Sequence, residues 1–205
     1  MRRNFRGKHE FSACIFLFSL YFRTFAHLKA SIMVHLDKQL AREQYEALDG
    51  IGFIEWLTDG YLAAIGGGLT AENMDMLSAD QHGVLCYRYV LDEVMEGGFI
   101  QLILNGYAPY VLEGPFPMVV KKEWGVIAGQ EKAMKDFSKL LYEVKNEYHR
   151  HREELSKDMS DEDFMALYEQ LEDLNELGDD FLDDHQEQLT PMVAKMIVEN
   201  IDKYM

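Results

Sequence analysis

The chain has 205 residues, of which 20 are Lys or Arg and 36 are Asp or Glu, giving a formal net charge of -16 and a pI of about 4.8. So acidic a surface repels phosphate backbones and excludes direct nucleic-acid binding, while 48% hydrophobic and 12% aromatic residues exclude a disordered chain. Two cysteines, Cys14 and Cys86, form no CxxC pair, which excludes a disulfide scaffold and a cysteine-based zinc module.

The charge is uneven. Residues 1–32 hold six basic side chains (Arg2, Arg3, Arg6, Lys8, Arg23, Lys29) against one acid, Glu10, which leaves 14 bases against 35 acids in the remainder. Within this basic start lies an apolar run, residues 11–22, in the order of a secretory signal but too short to span a bilayer as a helix. Arg23, His27 and Lys29 stand where a cleavage site needs small residues. Residues 1–32 are therefore either a leader-like segment or upstream sequence ahead of a start at Met33; we favour the second. Residues 33–205 are expected to form a single acidic helical domain. It is placed in the cytoplasm, or outside it if the leader is genuine, and no other stretch approaches a membrane-spanning length.

The spacing of Leu36, Leu40, Tyr45 and Leu48 predicts a first helix, closed by Gly50 and Gly52. A second is expected from Phe53 to Ile65, ended by the flexible Gly66-Gly67-Gly68. Ser78 and Gln81 have the spacing of a capping box, and the apolar-rich run from Val84 to Met95 behind them suits a buried helix interrupted at Gly97-Gly98. Helix resumes to Asn105. Residues 106–117, with Pro109, Pro115 and Pro117, read as a loop, followed by one short β element at 118–120.

The clearest periodicity comes next: Ala133, Phe137, Leu140, Leu141, Val144, Tyr148 and Leu155 predict a helix from about Gln130 to Lys157. Ser160 with Asp163 caps another, whose stripe is Phe164, Leu167, Tyr168, Leu171, Leu174 and Leu177, with Gly178 as its stop. Thr190-Pro191 then begins the last helix, with Val193, Met196, Ile197 and Ile201 on its buried side. The fold class predicted is all-α, an irregular multi-helix bundle.

Common nucleotide, hydrolase and zincin signatures are absent, and nothing calls for a cofactor or a metal. Asp173, Asn175, Gly178, Asp179 and Asp184 fall at EF-hand positions, but Leu177 occupies a ligand position and Asp184 replaces the long Glu. Glu147, His151 and Glu154 share a helix face as metal ligands would, yet Arg150 and Arg152 beside them point to a solvated charged face. His82 and Cys86, one turn apart, are read as packing rather than catalysis.

The positive signal is charge. Between Glu153 and Glu187 stand 15 acids (Glu153, Glu154, Asp158, Asp161, Glu162, Asp163, Glu169, Glu172, Asp173, Glu176, Asp179, Asp180, Asp183, Asp184, Glu187) against one base, Lys157. On a helix this is about 3.5 Å per charge, close to the roughly 3.4 Å per phosphate along one DNA strand. The apolar stripe occupies one side, so most of these carboxylates share the other. Their self-repulsion points to a basic protein surface as partner, with a partnerless solubilising surface as the alternative.

The stretch from Leu91 to Gly106 resembles the signature of a bacterial DNA-mimic protein family: a Glu, then Asn-Gly-Gly-Phe, a Gln two residues on, two aromatics, and an Asn before a glycine turn. Glu93, Gly97, Gly98, Phe99, Gln101 and Asn105 match. Glu96 replaces the usual Asn, and Leu102 and Ile103 replace the aromatics. In element order and acidity the likeness covers residues 70–205.

The resemblance implies a largely helical protein, not an enzyme, that occupies the DNA-binding face of a basic transcription regulator such as a helix-turn-helix protein. Its partner-binding face would comprise Asp161, Glu162, Glu169, Glu172, Asp173, Glu176, Asp179, Asp180, Asp183 and Asp184. The motif residues themselves read as structural: Gly97-Gly98 permits a tight joint, Phe99 anchors it, and Gln101 and Asn105 satisfy backbone groups nearby. One rival is a small-ligand protein or enzyme with a pocket near Glu93, Gln101, Asn105 and the loop from Tyr107 to Tyr110. Another is a dimeric structural protein with incidental, scattered acidity; a homodimer is also compatible with the leading reading.

Overall fold

Helix caps written into the sequence set the chain's first turns. In the computed structural model, which describes residues 33–155 and 160–205, Asp37 caps α1 (Lys38–Ala47) by accepting from the Leu40 amide at 2.8 Å. Asp49 does the same for α2 (Gly50–Ala64), accepting from the Gly52 amide at 2.7 Å. Gly50 and Gly52 therefore open the second helix rather than close the first. The leader-like segment 1–32 lies outside the described residues. So do the side chains of residues 161, 162, 164 and 165.

Two compact units divide the chain, one containing residues 33–88 and 190–205, the other residues 89–189. In the first, α1, α2, the short 3-10 helix Met74–Met76 and the beginning of α3 (Ala79–Leu104) bury Phe53, Ile54, Leu57, Tyr61, Val84 and Leu85. The C-terminal residues join this core. Tyr61 donates its hydroxyl to the Tyr204 carbonyl at 2.6 Å, and the buried Tyr87 and Thr190 hydroxyls lie 2.9 Å apart. The Ser78–Gln81 capping box forms as predicted, with reciprocal bonds of 2.8 and 3.1 Å. Gln81 does more than cap: its buried amide also donates to the carbonyls of Val34, at 3.0 Å, and Tyr204, at 3.3 Å.

The second unit is built around a row of rings. Trp124, Phe116, Phe137, Phe181 and Phe99 follow one another at centroid separations of 5.6, 6.2, 5.7 and 6.2 Å, every one of them buried. Contributing elements are the end of α3, α4 (Ala108–Val111), α5 (Phe116–Val119), a π turn Val120–Trp124, α6 (Gly125–Ile127), α7 (Glu131–Arg150), α8 (Arg152–Leu155), α9 (Asp161–Gln170), α10 (Glu172–Asp180) and a second π stretch Phe181–Gln186 that leads into α11 (Glu187–Glu199).

The all-α class is correct, and among the described residues there is no strand. The β element expected at 118–120 is helical, as is much of the expected loop, because Pro109 and Pro117 sit in the first turns of α4 and α5. At those positions proline lacks an amide that would go unbonded anyway, so it starts a helix instead of breaking one. The predicted long helix from Gln130 ends at Arg150, where His151 leaves helical geometry at φ -108°, ψ 16°. Its last expected residue, Lys157, lies outside the described residues.

Beyond Ser160 the expected single helix is two, parted at Leu171 (φ -98°, ψ 55°). Gly178 is not a stop, for the chain stays helical through it. Pro191, predicted at a helix start, lies inside α11. The chain is already helical from the π stretch through residues 187–190, so the proline falls in the second turn of α11 and not at its start.

Candidate interaction face

The capping box at Ser160 launches the acidic segment. Its hydroxyl accepts from the Asp163 amide at 3.1 Å, while the Asp163 carboxylate receives the Ser160 hydroxyl at 2.8 Å and its amide at 3.4 Å. Downstream, α10 starts with Glu172 and Asp173 in its first turn, where carboxylates favourably meet the positive end of the helix dipole. At about 100° per residue, Glu172, Asp173, Glu176, Asp179 and Asp180 fall within about 120° of arc. All five are exposed, while Leu171, Leu174 and Gly178 are buried on the opposite side.

Through the π stretch the same division persists: Phe181 is buried, Asp183 and Asp184 are exposed, and Glu187 continues the exposed row into α11. Glu169 is exposed at the end of α9. Asp161 and Glu162 belong to α9 by backbone, but their side chains lie outside the described residues. Eight of the ten acids proposed from sequence thus stand on solvent-facing positions, and the helix packing gathers those of α10 on one side.

A shallow cleft of about 170 Å³ opens where α9 breaks into α10, lined by Glu147, His151, Gln170, Glu172 and Asp173 with Leu171 and Leu174. Glu147 is nearly buried and accepts twice from Arg150 at 2.6 Å, and Arg150 reaches Asp173 at 3.7 Å. His151 pairs with Glu154 at 3.1 Å. Of the set Glu147, His151 and Glu154, Glu147 is held by Arg150 while His151 hydrogen-bonds Glu154; Arg152 reaches Glu113 instead, and the burial of Glu147 departs from the solvated face expected. No three His, Cys, Asp or Glu residues among those described converge as a metal would need. The EF-hand spacing falls on continuous helix from Glu172 onward, so no ligand loop exists there. His82 is buried with its Nε2 2.9 Å from the Met74 carbonyl, and burial holds its pKa below the ordinary value.

The motif occupies the break in α3. Gly97 is extended at φ -166°, and Gly98 adopts φ 69°, ψ -174°. Around this joint Asn105 and Gln101 bind carboxylates and not the backbone groups expected of them: Asn105 donates to Glu93 at 2.6 Å and Gln101 to Glu96 at 3.1 Å. Partial burial raises the Glu93 pKa, opposed by the hydrogen bonds from Asn105 and Gln101. Tyr107 stacks on Tyr89 at 4.3 Å beside them. Phe99 is fully buried, in edge contact with Phe181.

Sequence reasoning missed one member of this joint. Gly178, near the end of α10, packs against it: a Cβ there would lie 3.5 Å from the Gly98 Cα, in van der Waals contact with backbone. The available signal was the glycine itself, whose place at the end of the apolar stripe reads as a helix stop.

The joint, the ring row and the acidic helix all fall within a recognised sequence family: the profile of DMP19-like protein matches residues 75–200. The chain belongs to the DMP19-like protein family. A curated relative, DNA mimic protein DMP19 of Neisseria meningitidis serogroup B (strain ATCC BAA-335 / MC58), is 36% identical over 72 residues. That similarity spans 35% of this chain and 42% of the relative. Family membership thus covers the motif and the acidic segment together. Among the described residues no helix is long and apolar enough to cross a membrane.

Proposed function

We propose that the protein is a non-enzymatic acidic binding module of the cytoplasm that occupies the DNA-binding surface of a basic transcription regulator, such as a helix-turn-helix protein. The single observation that carries this reading is the one-sided exposure of Glu172, Asp173, Glu176, Asp179 and Asp180, continued by Asp183 and Asp184. Carboxylates kept together against their own repulsion present a potential that complements a phosphate-binding surface. The relative described as a DNA mimic supports the same assignment. Glu169, exposed at the end of α9, is assigned to the same face, as are Asp161 and Glu162 from their place in the sequence. Affinity comes from charge complementarity and weakens as salt screens it.

The test is affinity capture from native lysate with the full chain, washed at low and then high salt, beside the variant Asp179→Asn, Asp180→Asn, Asp183→Asn, Asp184→Asn. A basic DNA-binding protein retained by the wild type, released by salt and lost by the variant is the expected result. Equal retention by both proteins would remove these carboxylates from the site.

A further inference from the structure

We propose that Gly178 and the Gly97-Gly98 break form a seat that fixes the register of the acidic helix α10, making Gly178 a positioning residue for the carboxylate face. This rests on the acidic-face reading above for its functional meaning, though not for its geometry.

Glycine in a helix interior costs up to about 1 kcal/mol relative to alanine, and Gly178 is one whose missing side chain would face neighbouring backbone. Gly178 is buried in the second turn of α10, between Leu177 and the exposed Asp179-Asp180 pair. A Cβ on it would meet the Gly98 Cα at 3.5 Å and the Phe99 amide nitrogen at 3.8 Å, an ordinary contact. Methyl therefore fits, and anything longer runs into backbone. The surface it faces is the backbone of the break itself: Gly98 turns at φ 69°, and a Cβ on Gly98 would project into open space rather than toward α10. Three residues on, Phe181 lies on the same side of the segment and seats against Phe99, the residue after Gly98. Two successive contacts thus tie one side of the acidic segment to two successive residues of the motif, and the direction of Asp179 and Asp180 follows from that pairing.

The experiment compares full-length wild type, Gly178→Ala and Gly178→Leu. Hydrogen exchange is read at residues 98–104 and 174–181, and binding is read with two probes: a stapled helical peptide with lysines along one face and a disordered arginine-rich peptide of equal charge. Gly178→Ala should match wild type within about twofold throughout. Gly178→Leu should keep its circular dichroism, exchange at least tenfold faster in both segments, and lose at least tenfold affinity for the rigid peptide while binding the disordered one within about twofold. Wild-type exchange in Gly178→Leu would overturn the seat, and faster exchange with undiminished rigid-peptide binding would overturn its positioning role. Should wild type bind neither peptide, the acidic-face reading falls and the positioning role with it, while the packing contact is still judged by exchange alone.

Discussion

Gly98 holds a backbone pairing, φ 69° and ψ -174°, that is open essentially to glycine. Gly98→Ala should destabilise the fold by about 1–3 kcal/mol, read from urea unfolding. Gly97→Ala meets no such strain, since φ -166° is ordinary extended backbone; its new Cβ would crowd the Gln101 side chain, whose flexible end can swing away from Glu96. Its cost should be the smaller of the two. His82 provides a pH test. Burial lowers its folded-state pKa below 6.5, so the unfolded chain binds the proton more readily. The associated stability is complete above pH 6.5 and declines as pH falls through the folded-state value, with a slope of at most about 1.4 kcal/mol per pH unit. His82→Gln, which keeps a donor for the Met74 carbonyl without titrating, should abolish that component; an unchanged pH profile would assign the acid sensitivity elsewhere.

At the scale of elements, what the sequence disclosed were local devices. Ser78 with Gln81 and Ser160 with Asp163 could be read as caps because each needs only side chains three residues apart. Ser160→Ala should cost about 1 kcal/mol, seen as faster exchange of the first-turn amides of α9. What stayed illegible depended on partners distant in the chain. Leu171 breaks a helix although it continues the apolar stripe, and its buried position beside Leu174 at the Glu147 cleft is set by packing that periodicity does not encode. Pro191 looked like a helix start because the rule for proline weighs one turn only, whereas the π stretch at 181–186 carries the helix into it. Of the candidate face, the gathering of acids opposite the apolar stripe was legible. The approach of Gly178 to Gly98 was not, since no pattern links residues so far apart.

Across the whole molecule, a net charge of -16 works against compactness and in favour of a basic partner. Replacing Asp179, Asp180, Asp183 and Asp184 with Asn removes repulsion from exposed positions, so the thermal midpoint at low salt should stay level or rise, by scanning calorimetry. A marked fall would mean that these carboxylates support the fold instead. Loss of partner binding alongside an intact midpoint would separate recognition from stability. The measurement that bears most directly on mimicry is displacement of DNA: the basic regulator captured by the chain, bound to its labelled DNA site, is titrated with wild type and with the four-Asn variant at low salt. Wild type should release the DNA in proportion to its own binding, and the variant should do so at least tenfold more weakly. A ternary complex of protein, regulator and DNA, with no DNA released, would contradict mimicry.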